Sequence, residues 1–122
     1  MISRKPCPPT HPHQDENGSL SHLPAGSRAQ AHVHAGHESA VAVISGQVDV
    51  WYGDRLREHV LMRKGDCLYI PANVPHIPVN RGTMPMVALM ARTDPREQES
   101  VRLIDLPGHL GEIGAIPIAA AT

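Results

Sequence analysis

The chain has 122 residues, 41% of them hydrophobic, and a formal net charge of −1 with Lys and Arg scattered along it. That length buries one core, and so predicts one domain, while the near-neutral balance excludes an electrostatic pull toward nucleic acid or anionic membrane. No run approaches the roughly 18 apolar residues of a membrane span and the N-terminus lacks the order of a signal peptide, so a cytoplasmic protein with a small-molecule partner is expected.

There is no Phe and only 2% aromatic residues, against nine His. The core must therefore come from Val, Ile, Leu, Met and Ala, and the histidines call for an explanation. Residues 1–17 combine Pro, His and charge without apolar periodicity, the composition of a flexible arm. His11 and His13 lie there with no scaffold to fix them, and are not counted as ligands. Cys7 in this arm and Cys67 in an apolar run make neither a disulfide framework nor a zinc-ribbon spacing, which favours a reducing compartment.

From Ser19 onward, turn signals at Pro24-Ala25-Gly26, Ser45-Gly46, Gly53-Asp54, Lys64-Gly65-Asp66, Pro71-Ala72-Asn73 and Asn80-Arg81-Gly82 separate short β-runs, the rhythm of an all-β sandwich or barrel. The run Ala40–Ile44 is apolar at every position and predicts a strand covered on both sides. Val48, Val50 and Tyr52 alternate with Gln47, Asp49 and Trp51; beyond the Gly53-Asp54 turn, Leu56, Val60 and Met62 alternate with Arg55, Arg57 and Arg63, which predicts a half-exposed hairpin. Cys67–Ile70 and Met86–Ala91 supply further apolar strands, 93–100 is a polar connection, and Val101–Leu106 suits a last edge strand. The tail 107–122 holds too many Gly and Pro for a helix, but its apolar residues are able to dock. The expected division is an arm over 1–17, a domain over 18–106 and a tail over 107–122.

His32 and His34 are one residue apart, so on a strand both rings leave the same face with backbones about 6.5–7 Å apart. Neutral imidazoles leaning to a shared point chelate Fe, Ni, Mn, Zn or Cu, and a nearby carboxylate tunes the charge. The stretch from Gly26 through His32, His34 and Glu38 to Gly46 resembles the first motif of the cupin superfamily, G-x5-HxH-x3,4-E-x6-G. The stretch Gly65, Pro71, Asn73, His76, Asn80 resembles the second, G-x5-P-x-G-x2-H-x3-N, with Asn73 where that family has Gly. Asn is the residue best able to replace Gly at positive φ, so the turn is expected to survive.

The first match contains a slip of one residue. Counting forward from His34 places the acidic ligand at Glu38; counting back from Gly46 places it at Ser39. On a strand such a slip reverses the facing, so either a bulge restores Glu38 or Glu38 points elsewhere. His37 is the substitute ligand, or a supporting or acid–base group at the barrel mouth, or a solvent-exposed turn residue.

The resemblance covers about Leu20 to Leu106, in small single-domain members often labelled mannose-6-phosphate-isomerase-like, a fold analogy silent on substrate. It implies a double-stranded β-helix, a jelly-roll barrel holding one divalent metal through His32, His34, His76 and an acidic residue at or near Glu38, and a homodimer. An open coordination sphere suits catalysis. A metalloenzyme of oxygenase or isomerase/decarboxylase type is the leading reading; a sugar- or small-molecule-binding or sensing module and a metal-free sugar isomerase or epimerase are the alternatives. Tyr69 either packs in the core or lines the pocket as a proton donor, Tyr52 and Arg81 are read as surface or rim, Cys67 as a small buried hydrophobe, and Trp51 as filling the hairpin's outer face or a dimer contact. His22, His59 and His109 are given no role.

Overall fold

The structure is a computed structural model that describes residues 3–6, 18–34, 36, 38–92 and 101–119. Its strands are β1 (Ser3–Pro6), β2 (Gly18–Leu23), β3 (Ser27–Arg28), β4 (His32–His34), β5 (Ser39–Ser45), β6 (Gln47–Tyr52), β7 (Glu58–Arg63), β8 (Asp66–Ile70), β9 (His76–Asn80), β10 (Met86–Arg92) and β11 (Val101–Leu103). They form two sheets, β1-β8-β5-β10-β2 and β11-β4-β9-β6-β7, with β3 added beside β9. Every strand pair in them is antiparallel. The architecture is the all-β one expected.

Residues 3–6 correct the picture of a loose arm: they add an edge strand to β8, pairing Ser3 with Tyr69 and Pro6 with Asp66. Edge pairing needs only backbone groups, so an apolar pattern gave no warning of it, and Pro6 at the strand's end withholds no needed N–H. The rest of the expected arm up to residue 17 lies outside the described residues.

One core lies between the sheets. Val43, Leu68, Ile70, Met86 and Ala88 meet Val48, Val50 and Met62 there. The hairpin pairs as its alternation required, Val48 opposite Met62 and Val50 opposite Val60. Strand β5 corrects the reading of Ala40–Ile44. Val43 is buried, whereas Ala40 and Ile44 are exposed and Ala42 between them is only half-buried, so one side of this strand is largely open among the described residues.

A second cluster covers the outside of the other sheet. Ala31, Leu56, Ile77 and Val79 pack with Leu110 and Ile113, and Trp51, Ile104, Leu106 and Ile116 close around them. The tail therefore docks as its apolar content suggested, but through a 3-10 turn (Gly108–Leu110) and a single helical turn, α1 (Gly111–Gly114), where none was expected. Burial of Leu110 and Ile113 outweighs the poor propensity of the glycines. His109 Nε2 donates to the Leu56 carbonyl at 3.2 Å, and buried Arg28 donates through Nε to the Ile116 carbonyl at 3.0 Å.

On the same outer face Asp49 is buried and meets His59 Nε2 at 2.6 Å and Arg81 Nε at 3.2 Å, with the Arg81 guanidinium 5.2 Å from the Trp51 ring centroid.

Gly46 joins β5 to β6 at φ 76°, and a Cβ there would drive into the Pro85 carbonyl oxygen and lie 3.0 Å from Met86 Cα. Both obstacles are backbone, which cannot swing aside. Gly46→Ala is expected to lower stability by about 2 kcal/mol or more, read as a shift of the urea midpoint; an unchanged midpoint would refute this account of the turn.

Candidate functional site

Two central strands of one sheet bring the motif histidines together. His32 on β4 stands directly opposite His76 on β9, and His76 directly opposite Tyr52 on β6. Directly opposed residues share a face with Cβ atoms about 4.5–5.5 Å apart, so His32, His76 and Tyr52 form one row across the inner face. The His32 and His76 ring centroids are 4.3 Å apart, edge to face. Each ring is anchored by its own chain: His32 Nδ1 lies 2.7 Å from the Gln30 carbonyl and His76 Nδ1 lies 2.9 Å from the Val74 carbonyl. A carbonyl only accepts, so both Nδ1 atoms carry the proton and, in the neutral ring, Nε2 carries the lone pair. Hydrogen bonds of this kind fix a ring's tautomer and orientation.

Both histidines line a cavity of about 100 Å³ whose other walls include Val41, Val48, Val50, Met62, Leu68 and Ile70. Two loop features frame it. Asn73 has φ 66°, so it keeps the turn of the expected Gly. It also adds something Gly lacks, because its Oδ1 accepts a hydrogen bond from the Gly36 N–H at 3.0 Å and ties the two motif loops together. Fully buried Asn80, the last motif residue, donates to the Leu23 and Met84 carbonyls, each at 2.9 Å, and accepts from the Gly82 N–H at 3.0 Å.

The slip near Glu38 resolves through side-chain facing. Ser39 is 3% exposed, whereas Glu38 is exposed and its carboxylate accepts the Tyr69 hydroxyl. Tyr69 is 41% exposed, between the inward Leu68 and Ile70. Tyr69 therefore neither packs in the core nor donates protons in the cavity; strand alternation sends it outward. The Ser39 Oγ is buried with no hydrogen-bond partner among the described residues, a state that costs about 1–3 kcal/mol.

The backbone of His34 lies in β4 opposite Val101, while its side chain and all of His37 lie outside the described residues. Among the described residues no three His, Cys, Asp or Glu side chains form a group able to hold a metal ion. The observed donor set is the His32–His76 pair, and neutral Nε2 donors at the edge of an apolar cavity fit a divalent transition metal.

Tyr52, read as a rim residue, is half-buried against the core in the histidine row. The alternation of Val48, Val50 and Tyr52 already held that signal. His59 also has a partner that its sequence position did not suggest, the buried Asp49. Cys67 is not a free buried hydrophobe: it is partly exposed and disulfide-bonded, with its partner outside the described residues. Cysteine usage thus gives no support to a reducing compartment. Among the described residues no helix is long and apolar enough to cross a membrane.

The Tyr69 phenol is held above its ordinary value of 10.0, first by the hydrogen bond to Glu38, then by desolvation and by the carboxylate's charge. The bond needs the protonated phenol, so its contribution is present below the ordinary phenol value and is lost as pH rises through the raised one. In an ultraviolet titration with Tyr69→Phe as the reference, Tyr69 is expected to ionise late, and Glu38→Gln to lower its midpoint. Equal midpoints with and without the carboxylate would disprove the contact.

A family model described as "Cupin domain" matches residues 19–92. No curated protein matches the chain. Among solved structures it is similar to a conserved protein with a double-stranded beta-helix domain from Klebsiella pneumoniae subsp. pneumoniae, at 19% identity and TM-score 0.64, over 72% of this chain and 73% of that one. It is also similar to an oxalate decarboxylase variant from Bacillus subtilis, at 17% identity and TM-score 0.64, over 85% of this chain but 31% of the decarboxylase. A dTDP-6-deoxy-D-glucose-3,5-epimerase from Legionella pneumophila aligns at 17% identity and TM-score 0.61, over 84% of this chain and 60% of the epimerase. Identities this low speak for the fold, a double-stranded β-helix. The family model spans more than half of the sequence and includes both histidine stretches: the chain belongs to the cupin family.

Proposed function

We propose that this chain holds one divalent metal ion through His32, His34 and His76 and acts as a metalloenzyme on a small oxygenated organic molecule, with oxygenase or isomerase/decarboxylase chemistry. The observation that carries the reading is the pair of carbonyl-anchored rings, His32 and His76, opposed on adjacent strands and facing one apolar cavity. His34 joins the set because it stands two residues along the same strand. Glu38 is left out, since its carboxylate is engaged by Tyr69.

The roles of the protein groups follow from their places. His32 and His76 are held in one tautomer by Gln30 and Val74, so no rotamer search precedes ligation. The apolar walls exclude water and strengthen every charge interaction inside. Tyr52 is the phenol of the inner face, beside His76, and is the residue placed to give or take a proton. When bound, the metal supplies Lewis-acid or redox chemistry.

The names of similar structures include a decarboxylase and an epimerase, so the fold does not select the reaction. A second reading, a small-molecule binding module without turnover, draws on the lining, which is apolar apart from Ser21, His32 and His76. A metal-free epimerase would use His76 and Tyr52 for the acid–base work, so metal content is what separates it from the leading reading.

Elemental analysis of untagged protein is expected to give about one Fe, Ni, Mn, Cu or Zn per chain. His32→Ala and His76→Ala are expected to weaken metal binding roughly 10–100-fold while circular dichroism still shows the β fold. Metal content unchanged in both variants would overturn the assignment.

A further inference from the structure

The strand registers sort the cavity by depth. His76 stands opposite Tyr52, and two residues further along the same strands Pro78 stands opposite Val50. Another step of two reaches Val48, which stands opposite Met62. At about 6.5–7 Å per step, the Val48–Met62 level lies roughly 13 Å from the histidines along the sheet. Pro78, Val50, Val48 and Met62 all line the same cavity as His32 and His76. From the facing sheet one directly opposed row, Met90, Val41 and Leu68, lines it too. His32 is half-buried and Met62 fully buried, so the cavity opens at the histidine level and closes at Met62. Its chemistry is one-sided as well. The imidazoles supply the lone pairs at the open end; beyond them the lining is aliphatic or thioether, with Ser21 the one hydroxyl and no Lys, Arg, Asp or Glu among the described residues.

We infer that the substrate has an oxygen-donor head and a short aliphatic body, that the body lies deeper in the barrel than the histidines, and that Val48 and Met62 limit its length. This rests on the metal reading proposed above, which gives the head its anchor. Each methylene that leaves water for these walls strengthens binding about fourfold. The gain stops at the closed end, where a longer tail must double back or lift the head from the histidines. A polyhydroxylated body, such as that of a sugar, meets carbon where its hydroxyls need partners, and so is rejected. The thioethers of Met62 and Met90 are unbranched and adaptable, which suits a flexible chain.

The test loads the full chain with Co(II), whose absorption reports ligands at the metal, and titrates straight-chain carboxylates from acetate to decanoate, one head with a growing tail. Wild type is expected to bind one Co(II), to take butyrate at least ~10-fold more tightly than acetate, and to gain nothing beyond about eight carbons. Valerate is expected to bind at least ~10-fold more tightly than 4-hydroxybutyrate, which matches it in length but ends in a hydroxyl. Val48→Ala is expected to move the optimum about one or two carbons longer, and Ala88→Val, in the lining of the facing sheet, to move it shorter. Either variant suffices if the other fails to fold, and the wild-type series decides if neither does. Co(II) binding overturns this inference and leaves the metal reading intact if it comes with any of four results: no spectral response to any acid, acetate and butyrate within about twofold, affinity still rising at decanoate, or an optimum that neither folded variant moves. No Co(II) binding by wild type overturns both.

Discussion

One antiparallel register, β4 against β9, places His32 opposite His76, and every functional statement about this barrel depends on it. A slip of one residue in either strand would send one ring to the outer face. The register is held on both sides: Tyr52 pairs with His76 across β6, and Ser27 and Arg28 pair with Asn80 and Val79. Asn80 fixes the far end of the strand by bonding three backbone groups. The anchors of the two rings are equally local, each a carbonyl two residues earlier in the same chain. Ring orientation is therefore inherited from strand geometry.

The two sheets are finished differently on their outer sides. The β9-containing sheet is covered by the chain's own residues 104–116, and it encloses a charged group, Asp49, made tolerable by His59 and Arg81. The other sheet presents Leu20, Ile44 and Tyr69 to solvent. This contrast explains why Ile77 and Val79 are buried although His76 and Asn80 face the other way.

Much of the fold and the histidine row was legible in residue order. Period-two alternation located the hairpin, and the two spaced motifs located His32 and His76 and foresaw the positive φ of Asn73. What escaped was set by neighbours remote in sequence. Ala40–Ile44 looks doubly covered because small apolar residues are compatible with either environment. Forward and backward counts disagreed at Glu38 and Ser39, and only the facing of β5 and the Tyr69 contact place them. Tyr52 carries a pattern signal that its position at a strand end obscured. The Cys67 bond and the docking of Leu110 and Ile113 join segments with no local periodicity linking them, as does the ion pair between Asp49 and Arg81.

The docked tail reaches beyond packing. Because residues 104–116 shield the back of β9, the strand bearing His76 is sandwiched between two apolar layers. Backbone opening of that strand must strip away the C-terminal cover as well as the barrel interior. Opening of β9 is thus governed partly by a clasp on the opposite side of the sheet, and a change in α1 would be felt in the strand that bears His76 without touching that residue.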